Sequence, residues 1–142
     1  MQATRHALDV GFAPMDDDHR ALEQCIARAQ ASPDAGLHAA IAGIADVLAV
    51  HFAQEDGWMT QSAFPPRDCH IAEHAAVIRS AGEVLPLVAA GRTEVGRRFV
   101  DELAAWLPAH VGHLDSALAA WLSKQRFGGK PIVLRLARAT TD

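Results

Sequence analysis

Eight histidines in a chain of 142 residues, with no tyrosine, make histidine the residue to follow. It is the commonest protein metal ligand, through either ring nitrogen. Five of the eight fall into a spaced set with two carboxylates: His19, His51-x-x-x-Glu55, His70-x-x-x-His74 and His110-x-x-x-x-Asp115. On a helix, residues four apart share a face one turn apart, so each such pair offers two donors to one point. Seven donors are too many for a tetrahedral zinc, and no cysteine belongs to the set. Imidazole suits iron, copper, nickel or zinc, whereas calcium and magnesium prefer oxygen. Two carboxylates among five imidazoles can each bridge two ions. The expected centre is therefore a metal pair. Iron is the expected metal, because reversible oxygen chemistry needs a redox-active ion. Helical di-iron enzymes use a carboxylate-rich site with two Glu-x-x-His motifs, and this chain contains no Glu-x-x-His. Fewer anionic ligands stabilise high-valent iron less, which favours binding oxygen over activating it.

Four helices must position these donors. An N-terminal arm over residues 1–14 ends near Pro14, and the acidic run Asp16-Asp17-Asp18 suits the positive end of a first helix reaching about Gln30. Ser32-Pro33 reads as N-cap and first residue of a second helix, which Phe64-Pro65-Pro66 ends after about Gln61. Asp68 is the expected N-cap of the third helix, fading near Gly91, and Thr93 that of the fourth, ending at Gly128-Gly129. Pro86 and Pro108 predict local kinks. In every helix, histidine takes a place in the apolar stripe. The second reads Leu37, Ile41, Ile44, Leu48, His51, Glu55, Trp58, and the fourth Phe99, Leu103, Trp106, His110, Leu114, Ala117. Short turns between long helices predict an all-α, up-down-up-down antiparallel four-helix bundle over residues 15–129, with a C-terminal tail over 130–142.

The donors also share a level. Measured from the turns near Asp34 and Gly91, His19 and His51 lie roughly 22–26 Å up their helices, and His74 and His110 roughly 25–29 Å. Glu55, His70 and Asp115 come out about 3–7 Å higher. The whole set gathers at one end of the bundle, where burial without partners would be costly and a metal pair removes the cost. His110 and Asp115 are five apart, which in a straight α-helix turns the Asp roughly 140° from the His. Either the two straddle the metals, or a π-type bulge near Pro108 realigns them.

Half of the residues are apolar and about a fifth charged, the balance of one globular domain with a real core. A net charge of −4 points to neither nucleic acid nor an anionic membrane as partner. Met1 to His19 lacks a signal-peptide stretch, and no apolar run approaches the roughly 20 residues of a bilayer span. Cys25 and Cys69 stand far apart and outside any CxxC or CxxCH motif, which predicts a reduced, cytoplasmic protein.

The seven-residue pattern resembles the hemerythrin family in its bacterial single-domain form. The flanking residues agree: Val10-Gly11, Met15-Asp16-x-x-His19, His51-Phe52, Met59, Phe64-Pro65 and Trp106-Leu107-x-x-His110, from about Val10 to Trp121. The resemblance implies a non-haem di-iron centre that binds dioxygen reversibly, as a hydroperoxide. It implies that His70, His74 and His110 hold one iron, and His19 and His51 the other. Glu55 and Asp115 would bridge them together with an oxo or hydroxo oxygen. Dioxygen would add to the iron with two histidines, beside a pocket of Phe52, Trp106 and Leu107.

Other residues depart from that pattern. Asp56 stands where the family often has a second Glu and reads as solvated. His113 reads as outside the ligand set, His6 and His38 as exposed, and Cys69 as packing. The basic, apolar tail segment 131–138 reads as a loosely docked or disordered end, or else a partner-binding segment. No protein partner is specified. Oxygen carriage, storage or delivery is the leading function and sensing the second. A di-iron enzyme or iron donor acting on peroxide, nitric oxide or damaged iron centres is the alternative.

Overall fold

The computed structural model describes residues 8–126. Its helices are α1 (Ala13–Ala31), α2 (Asp34–Gln61), α3 (Arg67–Ala89) and α4 (Thr93–His110). A π-helical turn, Val111–Asp115, joins α4 to its continuation α5 (Ser116–Arg126). Successive helices pack side by side and α4 returns to α1, so the four rods close into the expected antiparallel ring. The tail, like His6, lies outside the described residues.

The apolar stripes meet along the axis. Leu22 and Ile26 of α1, Leu37, Ile41, Ile44 and Leu48 of α2, Ala81 and Val88 of α3, and Val100 and Leu103 of α4 are all buried. A second cluster of Met15, Met59, Phe64 and Leu118 closes the far end beyond the histidines. By length and composition α2 could cross a bilayer, contrary to the expectation that no apolar run comes near that size. Here its apolar face is the wall of the core. At the other end Gly96 lets α4 approach closely: a Cβ there would stand 2.6 Å from Val88 Cγ2.

Several helix ends differ from the sequence reading. The first helix starts at Ala13, with Pro14 already inside its first turn, where the missing N–H costs nothing. Ser32 does not cap α2; its hydroxyl donates back to the Arg28 carbonyl, and Pro33 is the residue before the helix. Pro66 and Arg92, not Asp68 and Thr93, precede α3 and α4. Gly91, at φ +95°, ends α3 in a Schellman turn, with the Arg92 N–H on the Leu87 carbonyl and the Gly91 N–H on Val88. Ala63, at φ 54°, makes the same turn after α2 without a glycine. The arm is tied down by Asp16, whose carboxylate accepts the N–H groups of Val10 (2.7 Å) and Gly11 (3.2 Å).

The π-turn settles the five-residue spacing. The Ser116 N–H reaches the Val111 carbonyl, five residues back, and Pro108 supplies no N–H to hold the preceding turn in α register. The extra residue brings Asp115 onto the His110 face. It also moves the stripe beyond: Leu118 is buried, whereas the expected Leu114 is half-buried and Ala117 exposed.

Candidate metal centre

The structure brings all seven predicted donors together, with none more than 3 % exposed. His19 comes from α1, His51 and Glu55 from α2, His70 and His74 from α3, His110 from α4, and Asp115 from the π-turn. They form two sets within ligand reach of a common point: Glu55, His70, His74, His110 and Asp115, and His19, His51, Glu55 and Asp115. The two carboxylates belong to both.

Each carboxylate divides its oxygens between the sets. Asp115 turns Oδ1 to His70 Nε2 (2.9 Å) and His110 Nε2 (3.1 Å), and Oδ2 to His19 Nε2 (2.8 Å). Glu55 turns Oε1 to His74 Nε2 (3.3 Å) and Oε2 to His51 Nε2 (3.0 Å). Despite these distances, both Glu55 oxygens, both Asp115 oxygens and His19 Nε2 have no aligned hydrogen-bond partner among the described residues. Their lone pairs converge on shared points rather than on one another. Such atoms are too costly to bury unless a cation satisfies them.

The imidazoles give an independent test. The His74 Nε2 lies 3.1 Å from the His110 Nε2, which lies 3.2 Å from the His70 Nε2. The outer nitrogens of His74 and His110 face carboxylates: His74 Nδ1 donates to Asp56 (2.8 Å) and His110 Nδ1 to Glu73 (2.8 Å). Both rings therefore keep their proton outside when neutral, and bare nitrogen faces bare nitrogen inside. A metal ion resolves that repulsion. For a metal–nitrogen bond of about 2.1 Å, ligands at right angles stand about 3.0 Å apart and tetrahedral ones about 3.4 Å, so both spacings are ones that a single ion can span.

Without metal, protons must do this work. Burial pulls the His19 pKa down, but the Asp115 and Glu55 carboxylates outweigh it and push it up to about 9. His51 and His110 are likewise lowered by burial and raised on balance, chiefly by Glu55 and Asp115 respectively. Burial raises the Glu55 and Asp115 carboxyls, yet the surrounding imidazoles hold both well below the usual carboxylate range.

Three carboxylates behind the candidate donors carry no plain site signal in the sequence. Asp18 accepts from His51 Nδ1 (3.1 Å), and Glu73 takes both His110 Nδ1 and Trp106 Nε1 (3.0 Å) on one oxygen. Asp56, expected to be solvated, is half-buried on His74. All three look like surface charges in sequence. The available signal is adjacency: Glu73 directly precedes His74, and Asp56 follows Glu55. Phe52 is buried and stacks on His74 (3.9 Å between centroids, 4° between planes), Leu107 is buried, and Trp106 is half-buried against His110 (4.3 Å, 25°). His113 and His38 are exposed, and so is Cys69, contrary to the packing role expected for it.

The model of the hemerythrin HHE cation binding domain matches residues 10–122. A protein of Ralstonia nicotianae named bacteriohemerythrin is 34 % identical over 119 residues, covering 84 % of this chain and 87 % of that one. No solved structure matches. A family model over residues 10–122 and a relative 34 % identical across most of both chains, on a four-helix bundle with a histidine–carboxylate cluster, lead to one conclusion: the chain belongs to the hemerythrin family.

Proposed function

We propose that this chain is a non-haem di-iron protein that binds dioxygen reversibly, for carriage, storage or delivery. His70, His74 and His110 hold one iron and His19 and His51 the other, with Glu55 and Asp115 bridging. The observation that carries this reading is the division of each carboxylate's oxygens between a three-histidine and a two-histidine set. The two-histidine set offers four donors against five, which would leave more room for a small ligand on its ion. When bound, an iron pair would supply the two electrons that reversible oxygen binding draws on.

The chain's own residues pack around the centre and orient its donor rings. Phe52, at 3 % exposed, stacks on His74 and meets Trp106 edge-on at 6.2 Å, and Leu107, at 4 % exposed, is buried in the same apolar core. Apolar packing of this kind would limit the access of water and protons to the bound ions. Asp18, Asp56 and Glu73 hold three ligand rings in the tautomer that points Nε2 inward. With two carboxylates in the set, the site lacks the anionic charge of oxygen-activating helical centres.

The test is anaerobic reduction of the iron-loaded chain followed by admission of oxygen. The expected result is an oxygenated spectrum that lasts and reverses when oxygen is withdrawn. Rapid turnover, or loss of iron, would instead favour the enzymatic or iron-donor reading.

A further inference from the structure

The two halves of the centre are built differently around their ligands, and the difference reaches beyond donor count. In the three-histidine half, two of the rings are clamped on two sides. His74 donates outward to Asp56 and lies flat against Phe52. His110 donates outward to Glu73 and lies against Trp106, and the same Glu73 oxygen binds the Trp106 indole, so ring, tryptophan and carboxylate lock together. In the two-histidine half, only His51 has a carboxylate behind it, Asp18 at 3.1 Å. His19 Nδ1 is buried with no hydrogen-bond partner among the described residues, as is His70 Nδ1 in the other half, so the halves differ through the doubly held His74 and His110.

A carboxylate behind a ligating imidazole raises its basicity and fixes its orientation, and its removal typically costs 10–100-fold in metal affinity. A ring that cannot turn also cannot release its ion by rotating away. Donor count acts in the same direction, five against four. Resting on the di-iron reading, we propose that the three-histidine half is the anchor, filling first and emptying last through Glu73 and Asp56 as positioning residues, while metal exchanges through the two-histidine half. The chain then has a defined one-metal state between its empty and full forms.

The experiment is anaerobic titration of the metal-free full chain with Fe2+, followed by calorimetry. The expected isotherm has two steps of one ion each, separated by roughly 10-fold or more in affinity. Glu73→Gln keeps the shape of the side chain but removes its charge. It should weaken the tight step by roughly 10–100-fold and leave the weak step within about 2-fold. Asp18→Asn should do the reverse. A merely structural role for Glu73 would lower the melting temperature of the metal-free chain and weaken both steps together, which would overturn the proposal. If Glu73→Gln does not fold, Asp56→Asn makes the same prediction through His74. Two indistinguishable steps in the parent chain would overturn the anchor but leave the di-iron reading standing. Fewer than two ions per chain would overturn both.

Discussion

A buried carboxylate that gives one oxygen to each of two ligand sets has no neutral substitute. Glu55 is wholly buried, with one oxygen near His74 and the other near His51. His113 lies only two residues from Asp115 yet is exposed, because the π-turn directs it outward. Glu55→Ala is therefore expected to lose most of the iron from both positions, while His113→Ala keeps about two ions per chain. Parallel iron assays of the purified variants decide this, and equal loss would place His113 in the site. The same contrast shows what the sequence makes legible. A histidine inside an apolar stripe is conspicuous, because burying it needs a partner. So His19, His51, His70, His74 and His110 stand out. Asp18, Asp56 and Glu73 stand one hydrogen bond behind the candidate donor rings, but they sit half-exposed where acidic residues are ordinary. Only coordinates distinguish a carboxylate that accepts an imidazole N–H from one that faces water.

At the level of the element, the π-turn is where local sequence is least decisive. Stripes and breakers locate the helices, but helix register beyond Pro108 depends on which carbonyl the next N–H reaches, and both an α and a π continuation fit the residue types. The packed structure chooses π because it turns Asp115 toward His19, His70 and His110 and seats Leu118 in the core. Similarly, the helix ends fall one or two residues from the expected caps, because Pro33 and Pro66 dictate chain direction where side-chain caps were anticipated. The π-turn makes a sharp prediction. Gly112 is exposed, and a Cβ on it would meet nothing within 4 Å. Deleting it shortens the spacing from five to four, which an ordinary α-helix places on one face. The deletion variant should fold, keep both ions and show Asp115 still ligating. Inserting an alanine after Gly112 instead rotates everything beyond it by roughly 100° and should abolish metal binding. Iron content and helical circular dichroism of the two variants test this. If deletion is as damaging as insertion, the π geometry itself is required, and register alone is not the explanation.

On the scale of the whole molecule, the polar centre lies inside a bundle whose remaining core is apolar, so metal and fold are linked. Removing the ions leaves imidazoles and carboxylates buried together, and protons are the only remaining cations. His19 then has a pKa of about 9, since Asp115 and Glu55 overcome the effect of burial, against an ordinary value of 6.5. A group whose pKa is raised on folding stabilises fully below its unfolded value, and that contribution disappears as the pH rises through the folded value. For His19 the loss runs from 6.5 to about 9. His51 and His110, also raised, act in the same direction. Glu55 and Asp115 are lowered from 4.5 and 3.8, so their contribution is present above those values and is lost in acid. The metal-free chain is thus most stable in mildly acidic solution, between the two losses. In the loaded chain the ions would take the place of those protons, so the alkaline loss should be absent. Between pH 6 and pH 9.5 the metal-free chain should lose roughly 5 °C or more of melting temperature. The loaded chain should melt higher throughout and show no such decline. Thermal unfolding followed by circular dichroism at both pH values, with and without metal, measures the difference. A metal-free chain that melts at the same temperature at both would mean that its buried imidazoles are neutral, and that hydrogen bonds to neutral rings hold the empty centre together.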